Sequence, residues 1–167
     1  FEDFITGFIE QEMPAVNVKH QRSDTYLDES NLFNLKPDLF LQASGKSIIA
    51  DTKYKFIYSN ENDPKYGISQ SDLYQMLAYA VRFKVNEIIL FYPNTLKSNQ
   101  ETSTEFVIKD QLAKDQEITI KAYQVPIIIK SLFDPSSFPN AENLKKLFEP
   151  ATNELKARLE DILKVAR

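Results

Sequence analysis

The residues best suited to chemistry are two aspartates and a lysine at the ends of two neighbouring apolar segments. Asp38 follows Pro37 at the head of PDLFLQ, and Asp51 and Lys53 lie two residues apart near the end of KSIIADTKY. Alternate residues of a strand point to the same face, so Asp51 and Lys53 share one face. The short ASG turn between the segments indicates a hairpin, and that pairing brings Asp38 close to Asp51 and Lys53.

Two carboxylates at close range repel each other and need a cation between them. The chain has no cysteine and one histidine, and oxygen ligands favour Mg²⁺ or Mn²⁺ over zinc. A neighbouring lysine can hold a phosphate oxygen or orient a water that the metal has made acidic. The pattern therefore indicates metal-assisted hydrolysis of a phosphodiester. The alternative is an aspartate that begins a strand, next to a solvated charge pair.

The segment SQSDLYQMLAYAVRF predicts an amphipathic helix over residues 69–84, with Ser69 as its N-cap. Gln75 and Tyr79 are four residues apart, which makes them neighbours on the helix surface. We expect both to point toward the acidic cluster and not into the core; the alternative is an ordinary solvated face. The predicted apolar face comprises Leu73, Met76, Leu77, Ala80 and Val81.

The remaining pattern predicts strands interleaved with helices. The first helix ends before Pro14, and its apolar stripe comprises Phe1, Phe4, Ile5, Phe8 and Ile9. Strands are expected at 16–20, 37–42, 46–54, 86–92, 104–109 and 117–123. A last helix is expected from residue 141 to the end, broken at Pro150. This order predicts one α/β domain over residues 1–167, with a mixed central sheet flanked by helices.

Composition narrows the class of protein. The 167 residues are 43% hydrophobic and 26% charged, as in an ordinary globular domain. The sequence lacks an apolar run of membrane-spanning length, so no membrane association is expected. The absence of cysteine excludes disulfides and thiol catalysis and fits a cytoplasmic location. A net charge of −4 is unusual for a protein that binds nucleic acid alone, so DNA contact would depend on a local site or a partner.

Four stretches of the sequence resemble those of a known nuclease superfamily: the strings KPDLFLQ, SIIADTKYK and SDLYQMLAYA, and the opening FE-x-F helix. The chain resembles the PD-(D/E)xK nuclease superfamily, in its RecB-like branch with a Q-xxx-Y helix. More narrowly, residues 1–92 resemble the C-terminal nuclease domain of the McrC family. The resemblance implies a restriction-endonuclease-like core with Mg²⁺ or Mn²⁺ as cofactor.

The resemblance also implies a role for each site residue. Asp38 and Asp51 would bind the metal, with the carbonyl of Thr52 completing its shell. Lys53 would support the attacking water or the scissile phosphate. Gln75 and Tyr79 fit the Q-xxx-Y positions. Glu2 is the candidate for a metal-proximal glutamate of the first helix, although a helix N-terminus also favours an acidic residue for its own sake.

Partners follow from the same resemblance: double-stranded DNA and an AAA+ GTPase of McrB type, in a GTP-driven complex that restricts methylcytosine-containing DNA. The resemblance also leads us to expect that this chain, which begins at Phe1, is a C-terminal fragment without the N-terminal McrC domain that contacts the partner. One alternative is a RecB-like repair or phage nuclease. Another is a degenerate nuclease fold that binds DNA or acts as a scaffold. Lys55 could contact the DNA backbone, and His20 is interpreted as a packed or surface residue.

Overall fold

The computed structural model describes residues 1–19, 25–58, 62–94, 103–110, 116–127 and 144–165. His20 and residues 141–143 lie outside these ranges. The described residues form an α/β fold, which confirms the predicted class. Its elements are α1 (Glu2–Glu12), β1 (Asn17–Lys19), β2 (Leu39–Ala43), β3 (Lys46–Thr52), α2 (Gln70–Phe83), β4 (Glu87–Pro93), β5 (Ser103–Asp110), β6 (Gln116–Val125) and α3 (Leu144–Leu163).

The strands form one mixed sheet in the order β1-β2-β3-β4-β6-β5. Strands β1, β2 and β3 are successively antiparallel, β3, β4 and β6 run parallel, and β5 is antiparallel to β6. The predicted hairpin is confirmed, because β2 pairs with β3 through a turn in which Ser44 and Gly45 have φ of 49° and 76°. The start of β2 and the ends of β3 and β4 therefore meet at one edge of the sheet.

Two apolar layers cover the two faces of this sheet. Helices α1 and α3 pack on one face, where Ile5 and Leu159 join Phe91. Helix α2 packs on the other face, where Met76 joins Leu90. Strand β4 lies between the layers, and burial on both faces explains its continuous apolar run.

Helix α2 begins where the sequence predicts, but the face that it buries is rotated relative to the predicted apolar face. The Ser69 hydroxyl accepts a hydrogen bond from the backbone N–H of Asp72 at 3.2 Å, which confirms the N-cap. Val81 is 52% exposed, whereas Asp72 and Tyr79 are buried. The prediction that Tyr79 stays out of the core is therefore wrong. The physical reason is that its ring packs edge-on against Phe83 while its hydroxyl keeps hydrogen-bond partners.

Two details of the other helices also differ from the sequence-based expectations. Phe4 is 51% exposed although Ile5 and Ile9 of the same stripe are buried. Helix α3 continues through Pro150 instead of breaking there. Proline removes one helical hydrogen bond, and the buried residues Leu155 and Leu159 anchor the helix beyond it. Within the described residues, no helix has both the length and the apolar character needed to cross a bilayer.

Candidate active site

Asp38 is held against the end of β3. Its Oδ2 accepts hydrogen bonds from the backbone N–H and the hydroxyl of Thr52, each at 2.7 Å. The strand register explains this contact, since Leu39 pairs with Ala50 and the next residues along are Asp38 and Asp51. The structure therefore brings Asp38 to the Asp51 end of the hairpin, and Thr52 fixes its orientation through two donors.

Asp51 is a buried carboxylate with an incompletely satisfied oxygen. The residue is 1% exposed, on the sheet face that α2 covers. The ammonium of Lys53 lies 2.5 Å from its Oδ2 as an ion pair. Apart from this ammonium, that oxygen has no hydrogen-bond donor among the described residues. A cation with oxygen preference would supply what this atom lacks.

Burial raises the pKa of Asp51 to about 6, the neighbouring charge of Asp38 adds to the rise, and the ammonium of Lys53 opposes it. Desolvation is the main cause of this rise in the pKa, and repulsion between the aspartates contributes less. Asp51 therefore ionises at a cost that a bound cation would offset.

A chain of hydrogen bonds connects Lys53 to α2. Its ammonium donates to Oε1 of Gln75 at 3.0 Å, and Nε2 of Gln75 donates to the Tyr79 hydroxyl at 2.8 Å. That hydroxyl donates to the backbone carbonyl of Lys36 at 2.9 Å. Burial raises the pKa of Tyr79 to about 12, with the charge of Asp51 adding to the rise, so the phenol stays neutral. Gln75 and Tyr79 thus join the acidic cluster through Lys53.

A second ion pair beside the cluster was not predicted from sequence. Both carboxylate oxygens of Asp72 accept from the ammonium of Lys55 at 2.9 Å. The hydroxyl of Tyr92 donates to the same carboxylate at 3.4 Å, and burial raises the pKa of that phenol. The available signal was spacing, because Asp72 precedes Gln75 by one helical turn and Lys55 follows Lys53 by two residues.

Glu2 lies at the start of α1, near the segment that follows β3. The rings of Phe1 and Tyr54 are 6.1 Å apart between centroids, which brings the beginning of α1 to this edge. Across the residues that the structure describes, no three His, Cys, Asp or Glu side chains are grouped to hold a metal. Glu2 therefore does not complete a three-carboxylate set with Asp38 and Asp51 here, and its catalytic role stays a prediction.

Tyr79→Phe tests the hydroxyl that ends the chain of hydrogen bonds. The substitution leaves the Lys36 carbonyl and the Gln75 amide without this partner in a half-buried setting. We expect the free energy of unfolding to fall by about 1–2 kcal/mol, as measured by urea denaturation. The matched control is Tyr74→Phe, because Tyr74 belongs to the same helix but is 62% exposed. Equal stability of Tyr79→Phe and the wild type would remove the hydroxyl from this network.

Comparisons with known proteins give the family. A family model described as McrBC 5-methylcytosine restriction system component matches residues 1–93, more than half of the chain and every site residue named above. No curated protein matches significantly. These 93 residues include α1, the hairpin, α2 and β4, which confirms the resemblance to the McrC family seen in the sequence motifs.

A solved structure shares the fold. It is the refined half-complex from a tetradecameric assembly of Thermococcus gammatolerans McrB AAA+ hexamers with bound McrC. The match has a TM-score of 0.58 and 16% sequence identity. It covers 97% of this chain but 32% of that one, so this chain spans about a third of the neighbour's length. The match to the family model over residues 1–93 shows that the chain belongs to the family of McrBC 5-methylcytosine restriction system components.

Proposed function

We propose that this chain is a divalent-metal-dependent DNA endonuclease domain with a PD-(D/E)xK core. In this proposal it is the cleavage subunit of a GTP-driven complex that restricts methylcytosine-containing DNA. The observation that carries the proposal is the buried carboxylate of Asp51, whose Oδ2 has no hydrogen-bond donor among the described residues apart from the ammonium of Lys53 at 2.5 Å. Asp38, at the adjoining strand end, supplies a second carboxylate.

The residues present fit Mg²⁺ or Mn²⁺. Asp38 and Asp51 would hold the ion, together with the carbonyl of Thr52, and all are hard oxygen donors of the kind these ions prefer. Two carboxylates are enough, because Mg²⁺ usually keeps several waters. When bound, such an ion supplies Lewis-acid polarisation of the phosphate and makes a nearby water more acidic.

Lys53 and Gln75 supply the rest of the proposed chemistry. The ammonium of Lys53 carries a fixed positive charge beside Asp51, where it can hold a phosphate oxygen or orient the attacking water. Gln75 accepts from that ammonium and donates to Tyr79, which fixes the direction of its amide. Gln75 therefore limits where the ammonium of Lys53 can point. Tyr79 acts through Gln75 from within the core.

The proposed partner is an AAA+ GTPase of McrB type, and the proposed substrate is double-stranded DNA. The structural neighbour contains McrB AAA+ hexamers together with McrC. The net charge of −4 supports a division of labour in which the partner provides much of the affinity for DNA. If one subunit recognises DNA and another cleaves it, the cleavage subunit can carry a hydrolytic site and still be acidic overall.

The direct test is cleavage by the complex assembled from the full-length subunit and its AAA+ partner. We expect cleavage of methylated DNA with GTP and Mg²⁺, its loss with EDTA, and its recovery with added Mg²⁺ or Mn²⁺. Unmethylated DNA of the same sequence is the matched control. Cleavage that persists in EDTA would contradict the metal assignment, whereas cleavage independent of GTP would favour the RecB-like alternative.

A further inference from the structure

A second ion pair, Lys55–Asp72, lies beside the candidate site without a role in the function proposed above. The ammonium of Lys55 lies 2.9 Å from both oxygens of Asp72. The side chain of Asp72 is 7% exposed and that of Lys55 is 48% exposed. A buried carboxylate is unfavourable unless it is paired, so losing Lys55 would leave Asp72 poorly solvated.

This pair forms one of two parallel connections between the end of β3 and helix α2. Lys53 donates to Gln75 at 3.0 Å, and Lys55 donates to Asp72 at 2.9 Å. Asp72 and Gln75 are three residues apart on α2 and therefore lie on one side of the helix. The chain after β3 is thus joined to α2 by two lysines, and only Lys53 contacts the carboxylate of the proposed metal site.

The backbone leaves the sheet after β3, so side-chain contacts are needed to hold the following segment against α2. Strand β3 ends at Thr52, and the N–H of Lys53 makes a last bond to the carbonyl of Phe91 at 2.8 Å. The N–H of Lys55 then turns back to the carbonyl of Lys53 at 2.9 Å. Lys55 is therefore the second residue after β3, following Lys53, whose side chain ties this segment to the helix. Tyr92, from the adjoining strand, adds a third element to the same carboxylate.

We infer that Lys55 and Asp72 are positioning residues for Lys53. The ion pair fixes the turn after β3 against the first turn of α2, and so places the Lys53 ammonium between Asp51 and Gln75. This inference rests on the proposed nuclease function of the site. It also differs from the expectation that Lys55 contacts the DNA backbone, because its charge is already engaged by a buried partner.

The test compares Lys55→Met and Lys55→Arg in the complete complex with methylated DNA, GTP and Mg²⁺. We expect Lys55→Met to lower kcat by roughly 10- to 100-fold, as small misplacements of reacting groups do. The KM for DNA should stay within about twofold, since the side chain does not bind substrate. Lys55→Arg keeps the charge and should recover most of kcat. Calorimetric titration with Mn²⁺ should give wild-type affinity for Lys55→Met, because Asp38 and Asp51 are held by β2 and β3.

Lys109→Met is the matched control, since Lys109 is exposed and its ammonium lies 3.8 Å from Glu117 at the far strand β5. It should behave as the wild type. A raised KM with a weaker salt dependence for Lys55→Met would show a phosphate contact and overturn the inference. Wild-type kcat would overturn it too, as would a loss of Mn²⁺ affinity parallel to the loss of rate. A wild-type complex that does not cleave with metal would instead overturn the proposed function, and this inference with it.

Discussion

Asp51→Asn is expected to abolish cleavage and, at pH 8, to raise the stability of the protein. Asparagine keeps the shape of the side chain but removes the charge that would bind the metal. We expect the single-turnover cleavage rate of the complex to fall roughly a thousandfold, in the range seen when a key electrostatic group is removed from an active site. The free energy of unfolding should rise at pH 8, because the substitution removes an ionised carboxylate that is buried at 1% exposure.

The sign of the stability change follows from the pKa. Burial raises the pKa of Asp51 from an ordinary value of 3.8 to about 6, so the folded state holds the carboxyl proton more tightly than the unfolded state. The stabilisation from the neutral carboxyl is present below about pH 4 and is lost as the pH rises through about 6. This net shift already includes the opposing effect of the Lys53 ammonium, and it corresponds to an upper limit of roughly 3 kcal/mol for the gain in stability.

Thermal unfolding at pH 4 and pH 8 measures this difference. Asp51→Asn should unfold at a higher temperature than the wild type at pH 8 and at nearly the same temperature at pH 4. Asp63→Asn is the control with the opposite sign, because backbone hydrogen bonds from Lys65 and Gly67 lower the pKa of Asp63. It should lose stability at pH 8. A lower melting temperature for Asp51→Asn at pH 8 would identify Asp51 as a structural residue, and retained cleavage would exclude it from the metal site.

The elements of the fold could be predicted from sequence because their signals are local. Two short apolar segments and the ASG turn between them predicted the β2–β3 hairpin, and Ser69 predicted the start of α2. The strand order could not be predicted in this way. Insertion of β6 between β4 and β5 depends on pairing between distant segments, and single-sequence periodicity does not contain that information.

The same limit applies within the site. Asp38, Asp51 and Lys53 could be placed together because one hairpin contains all of them. The burial of Asp72 could not be foreseen, because its partner Lys55 is 17 residues away and joins it only in the folded chain. Tyr79 shows that hydropathy alone is also a limited guide to which side chains are buried. A phenol with hydrogen-bond partners is buried at 2% exposure where a sequence pattern suggests a polar surface.

Lys53→Met is expected to separate catalysis from metal binding. Methionine keeps the length of the aliphatic stem but removes the ammonium that lies 2.5 Å from Oδ2 of Asp51 and 3.0 Å from Oε1 of Gln75. We expect the single-turnover cleavage rate to fall by roughly 10²- to 10⁴-fold, the usual contribution of a positioned proton-transfer or charge-stabilising group. Mn²⁺ affinity should hold or increase, because a positive charge that opposes the cation has gone.

The pH of the experiment decides how clearly the loss of the Lys53 ammonium can be distinguished from a change in the protonation of Asp51. Without the Lys53 ammonium, the pKa of Asp51 should rise above its wild-type value of about 6, since that charge is what opposes desolvation. The rate is therefore measured at increasing pH: a rate that recovers as the pH rises reports protonation of Asp51, whereas a rate that stays low reports the lysine. Lys36→Met is the matched control at the same edge, because its backbone carbonyl, which bonds Tyr79, is retained. If Lys53→Met loses Mn²⁺ affinity along with rate at pH 8, the lysine maintains the metal site; if it cleaves like the Lys36 control, the lysine takes no part in the reaction.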